Sequence, residues 1–208
     1  MIGNRARYMV GLTILIIGIV FLVLQMAFRQ DEITDDTRVN EALLHTERFS
    51  LTTESTALQT SAEGTIFVFG EQGIAKRIQI VSAIEIDPDD WGGVAFSIPD
   101  YWYISNITSS YPEGASQSII ADSVATWTTT NPEFYGWRAF IEVGRDRSSH
   151  VPSGGGRGTV VIDIVPGKNV DQPEILYIGV EAGSADKGTH KVIGTDHIKV
   201  PVSTGTSE

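Results

Sequence analysis

Residues 85–105, EIDPDDWGGVAFSIPDYWYIS, hold the densest group of chemically capable side chains in the sequence. Asp87, Asp89 and Asp90 offer oxygens to a cation, and Trp91, Tyr101, Trp102 and Tyr103 offer aromatic faces to a sugar or a protein partner. A calcium loop needs acids at alternating positions, a glycine at a set offset and a closing carboxylate. DPDDWGG has neither that glycine offset nor the closing acid. Glycoside hydrolysis needs two carboxylates about 5–10 Å apart across a sugar, which neighbouring aspartates on one turn do not define. A turn explains each residue more cheaply: Pro88 at its second position, aspartates capping N–H groups, and Gly92-Gly93 supplying positive φ before a strand. The acids are therefore expected to hold the turn. Ligand contact is expected from Trp91, Tyr101, Trp102 and Tyr103, within a wider aromatic set that includes Tyr111, Trp127, Phe134, Tyr135 and Trp137.

Other chemistry is thinly represented. No G-x-S-x-G or S-x-x-K motif is present, and no cysteine, so nucleophilic catalysis has no visible constellation. His45, His150, His190 and His197 stand singly, without metal-ligand spacing, although His190 and His197 could meet on adjacent strands. SGGGRG, residues 153–158, lacks the Lys-Ser/Thr of a phosphate loop and precedes a strand, which makes it a flexible loop. Asn106-Ile107-Thr108 matches the N-glycosylation sequon. No catalytic residue, metal site or cofactor is expected.

The elements that must position these side chains are strands. From residue 64 onward, short apolar runs alternate with a period of two and are separated by Gly, Pro, Asn and Asp clusters. In KRIQIVSAIEI, residues 76–86, Ile78, Ile80, Ile84 and Ile86 share one face. GVAFSIP, YWYISNI, SVATWTTT, WRAFIEV, GTVVIDIV, EILYIGVEA and HIKVPV continue the series, with THKVIG a further candidate. No amphipathic helix of 10–15 residues separates them, which disfavours a βαβ architecture. The expectation is an all-β fold: an antiparallel β-sandwich of about 8–10 strands preceded by one N-terminal transmembrane helix.

Residues 9–28, MVGLTILIIGIVFLVLQMAF, contain no charged side chain. Twenty residues at about 1.5 Å each match the roughly 30 Å of a hydrocarbon core. A cleaved signal peptide is the alternative. The run exceeds the usual 7–15 apolar residues and ends without an A-x-A site, so an uncleaved signal anchor is expected. Arg5 and Arg7 precede it, while Arg29 is followed by Asp31, Glu32, Asp35 and Asp36, which orients the N-terminus to the cytoplasm. The expected organisation is a cytoplasmic N-terminus (1–8), the anchor (9–28), a juxtamembrane stalk (29–63), the extracytoplasmic sandwich (64–203) and a flexible tail (204–208). Within the stalk, DDTRVNEALLHTERF has spacing for two or three helical turns, and the SLTTESTALQTSAEG segment reads as a spacer or as a first edge strand around residues 49–53.

The order of elements resembles the Ig-like and cohesin-like sandwiches of bacterial surface proteins. The resemblance names an architecture and transfers no functional residue. A net charge of -11 disfavours nucleic acid and anionic lipid headgroups as partners of the folded part. The expected function is a binding or scaffolding module at the cell envelope. It is held to the membrane by the N-terminal helix and its partner is an envelope protein or an extracellular glycan. The alternatives are a structural or assembly subunit of a larger membrane complex, and a carbohydrate-active enzyme.

Overall fold

Alternation with a period of two carries most of the architecture. The computed structural model describes residues 41–114, 123–145, 150–168 and 173–205. Within them lie ten strands: β1 (Ala42–Thr52), β2 (Ser61–Glu71), β3 (Ile74–Ile86), β4 (Val94–Ile98), β5 (Trp102–Ser109), β6 (Val124–Thr128), β7 (Ala139–Val143), β8 (Gly156–Pro166), β9 (Ile175–Lys187) and β10 (His190–Ser203). One helical turn, α1 (Pro132–Tyr135), joins β6 to β7. The strands form two five-stranded sheets, ordered β1-β2-β3-β8-β5 and β10-β9-β4-β7-β6, with antiparallel pairing throughout.

Each sheet turns one set of alternate residues toward the other. On β3, Ile78, Ile80, Ile84 and Ile86 are buried, and each such side chain contributes about 1.5–3 kcal/mol. Ser82 interrupts the row and satisfies its hydroxyl on the Glu63 carbonyl at 3.3 Å. Ala139, Ile141 and Val143 do the same work on β7, and Val94, Phe96 and Ile98 on β4. Across the interface the Phe49 ring of β1 meets Phe96 edge-on, centroids 6.4 Å apart. The β2–β3 hairpin closes through Gln72-Gly73, both at positive φ (51° and 77°), the conformation that a two-residue turn requires.

Three expected boundaries move. Residues 41–63 are not a stalk: β1 pairs along β2 from Ala42↔Gly70 to Thr52↔Ser61 and buries Phe49 and Leu51. The helical spacing there loses because a two- or three-turn helix is marginal alone, whereas pairing to β2 adds both ladder bonds and apolar burial. HIKVPV and THKVIG are one strand, β10, whose register shifts between Ile193 and Asp196. The tail does not begin at 204: the buried Thr204 accepts the Ala75 N–H at 3.2 Å, and Gly205 bridges Ile74. The cytoplasmic segment 1–8, the anchor 9–28, the stalk portion 29–40 and the tail residues 206–208 lie outside the described residues. Among the described residues no helix is long and apolar enough to cross a membrane.

Candidate functional site

The acidic turn after β3 is a network of filled acceptors. Asp87 Oδ1 accepts the Asp89 N–H at 2.9 Å, Asp87 Oδ2 accepts the Gln59 N–H at 2.8 Å, and the Asp90 N–H donates to the Asp87 carbonyl at 2.9 Å. Asp90 is fully buried. Its carboxylate accepts the Thr60 hydroxyl at 2.5 Å, the Ser184 hydroxyl at 2.6 Å and the Gly92 N–H at 2.7 Å. A buried carboxylate demands such saturation, because each unmet partner costs about 1–3 kcal/mol. Gly93 then launches β4 at φ 63°, with a Cβ position that would lie 2.2 Å from the Val143 carbonyl oxygen. Among the described residues no group of three or more acids and histidines converges to hold a metal ion. His190 and His197 sit on one strand, β10, opposite Lys187 and Glu181.

The four aromatic residues expected to contact a ligand divide evenly. Trp91 and Trp102 are buried, so the ligand-contact expectation for these two is corrected. Trp91 packs edge-on against His150 with centroids 4.8 Å apart, and Lys191 Nζ lies 5.6 Å over its ring. Trp102 begins β5 facing inward, and its buried Nε1 has no hydrogen-bond partner among the described residues. Tyr101 and Tyr103 are exposed. Tyr101 takes a left-handed φ of 67°, and its carbonyl accepts the Gly167 N–H at 2.7 Å. Tyr103 lies under the Arg138 guanidinium, 5.3 Å from the ring centre.

A second group of exposed aromatic residues lies further along the chain, around the β6–β7 connection. Trp127 is 43% exposed on edge strand β6, and Phe134 is 77% exposed on α1. Phe134, Tyr135, Trp137 and Phe140 form a series of neighbouring rings with centroid separations of 5.0, 5.4 and 5.5 Å. Trp127 stands directly opposite Phe140 in the β6–β7 ladder. The sequence holds these rings out for local reasons. Pro132 starts α1, Gly136 ends it at φ 74° with its N–H on the Pro132 carbonyl at 2.7 Å, and none of the four helical residues is buried.

Charged groups brace this surface. Glu142 of β7 is only 1% exposed although it faces away from the core. Its carboxylate accepts the Trp127 Nε1–H at 2.9 Å and pairs with Arg145, which fixes the indole in place. Glu181 of β9 stands at the same level on the far side of Ala95. Burial pushes its carboxyl above the usual range; His197 and Arg145 oppose the shift, and the Glu142 charge adds to it. Arg138 fastens the other end, with Nη1 donating to the Thr129 carbonyl at 2.9 Å and Nη2 lying 3.1 Å from Asp100. The arrangement presents neighbouring exposed aromatic rings beside a tethered indole and charged groups, a surface suited to stacking and hydrogen bonding. No family model matches the chain, and no match is found among curated proteins or solved structures.

Proposed function

We propose that the chain is a membrane-anchored, extracytoplasmic binding or scaffolding module, its sandwich of the Ig-like or cohesin-like kind. In this reading residues 9–28 hold it to the membrane, and the rings of the β6–β7 connection contact an envelope protein or an extracellular glycan. The observation that carries the binding half is the run of Trp127, Phe134 and Tyr135, all exposed, with the Trp127 indole held by Glu142, itself paired with Arg145. A large ring already held in place, as Trp127 is, loses little side-chain entropy when a partner covers it. The anchoring half rests on the uncharged run 9–28 and its flanking charges.

The test uses the full chain in a mild detergent, presented with insoluble envelope glycan and, separately, with solubilised envelope proteins. Trp127→Ala and Tyr135→Ala should each weaken capture about 5- to 30-fold, the usual reach of an aromatic anchor worth 1–2 kcal/mol. Tyr177→Ala, an exposed ring on β9, serves as the control. Equal capture by all three variants would remove the β6–β7 surface as the contact.

A further inference from the structure

Among the described residues strand β5 is an edge of the first sheet, and its register breaks once, between Ile104 and Asn106. Ser105 is the extra residue, its hydroxyl donating to the Asp163 carbonyl at 3.1 Å. The break has a specific effect on which way each side chain points. Ile104 and Ile107 both pack against the core, although they are three residues apart. Unbroken alternation from Trp102 and Ile104 would turn residue 106 inward. The bulge turns it outward instead, so that Tyr103, Asn106 and Thr108 share one exposed face of the strand.

That face carries the parts of a glycan acceptor. Asn106 Nδ2 lies 3.3 Å from Thr108 Oγ1, the two side chains a sequon must present together. The residue across the ladder, Asp163, has its carboxylate engaged by Arg77 at 3.0 Å and Gln79 at 2.9 Å. Tyr103 is 44% exposed beside this site, with Arg138 over its ring.

We propose that Asn106 is an N-glycosylation acceptor and that Tyr103 supplies the surface on which the first sugar rests. The co-substrate is a lipid-linked oligosaccharide. Asn106 Nδ2 forms a bond to the anomeric carbon as the bond from that carbon to the lipid phosphate oxygen breaks. The phosphate departs with the electron pair, one amide proton goes to a base of the transferring enzyme, and nothing is oxidised or reduced. Apolar C–H faces of the sugar pack on the phenol ring. The attached glycan also shields β5, which among the described residues is an edge strand and a template for strand addition. The inference rests on the extracytoplasmic placement proposed above.

Full chain purified from its source cells is examined by glycopeptide mass spectrometry, alongside protease treatment of the intact cells. The expected result is a glycan on Asn106 of a domain that external protease digests. The whole added mass should be lost in Asn106→Gln and Thr108→Val and kept in Thr108→Ser. Tyr103→Ala should lower occupancy or the thermal stabilisation that the glycan confers. A domain digested from outside but bare at Asn106 overturns this inference and leaves the localisation intact. A domain shielded from protease and unmodified overturns both. Unchanged occupancy and glycan stabilisation in Tyr103→Ala would remove Tyr103 from its role.

Discussion

Glu181 and Asp196 are acids whose environments act in opposite directions on stability. The folded state raises the Glu181 carboxyl, chiefly through burial and further through the Glu142 charge, against the pull of His197 and Arg145. The unfolded chain therefore ionises first as pH rises from the ordinary glutamate value of about 4.3. The contribution of Glu181 is fully present below that value and is lost as pH climbs through the raised folded value. For Asp196, desolvation raises the carboxyl, but the Ser55 hydroxyl and N–H, with further donors, outweigh it and hold the group low. Its contribution is present above the unfolded value and is lost as pH falls. Glu181→Gln should thus flatten the decline in urea midpoint as pH rises above the ordinary glutamate value of about 4.3, while leaving the acid limb unchanged. Parallel profiles for parent and variant would show that Glu181 carries no such penalty. The local sequence DPDDWGG identified the turn, because Asp87 and Asp90 bond to neighbours within two or three residues. It did not identify Thr60 and Ser184 as partners of Asp90, since those lie 30 and 94 residues away and meet it only after both sheets form.

At the scale of elements, strands were legible wherever alternation was strict, and least so where a strand carries few inward apolar residues. β3 announced both its type and its buried face, whereas β7 announced its type but is buried on both faces. β1 has only Phe49 and Leu51 buried, with Leu44 packed in part, and a bulge between Leu43 and His45 breaks its period. Its identity comes from the edge of β2 that it covers. The exposed rings of α1 were harder to place for a related reason: a four-residue helix has no periodicity, and side-chain exposure there depends on how the β6–β7 connection leaves the sheet. The revised role of β1 has a measurable consequence. A chain beginning at residue 41 should unfold cooperatively, whereas one beginning at residue 64 loses β1 and the start of β2. The shorter chain exposes the Ile66 and Val68 region of the core and the edge of β2, and should aggregate or show no cooperative transition. Equal denaturant midpoints for the two chains would return residues 41–63 to the role of a spacer.

For the whole molecule, the placement of β1 shortens the segment between the proposed anchor and the sandwich from residues 29–63 to residues 29–40. Those twelve positions include Arg29, Asp31, Glu32, Asp35, Asp36 and Arg38, an acidic excess that contrasts with Arg5 and Arg7 on the other side of the apolar run. Acidic residues contribute little to orientation, so Arg5 and Arg7 stand against Arg29 and Arg38, and the outcome turns on a few basic charges. Leu15 and Ile16 lie near the middle of residues 9–28. Replacing both with arginine adds about 2.5–3.5 kcal/mol per position to insertion. The double variant should move from the carbonate-resistant membrane fraction to the soluble fraction with the sandwich still folded. Arg5→Glu combined with Arg7→Glu should leave the chain in the membrane but protect a share of its sandwich from external protease. Retention of the Leu15→Arg, Ile16→Arg chain in the membrane would place the anchoring elsewhere. Unaltered protease access in the Arg5→Glu, Arg7→Glu chain would show that the two arginines do not set its orientation.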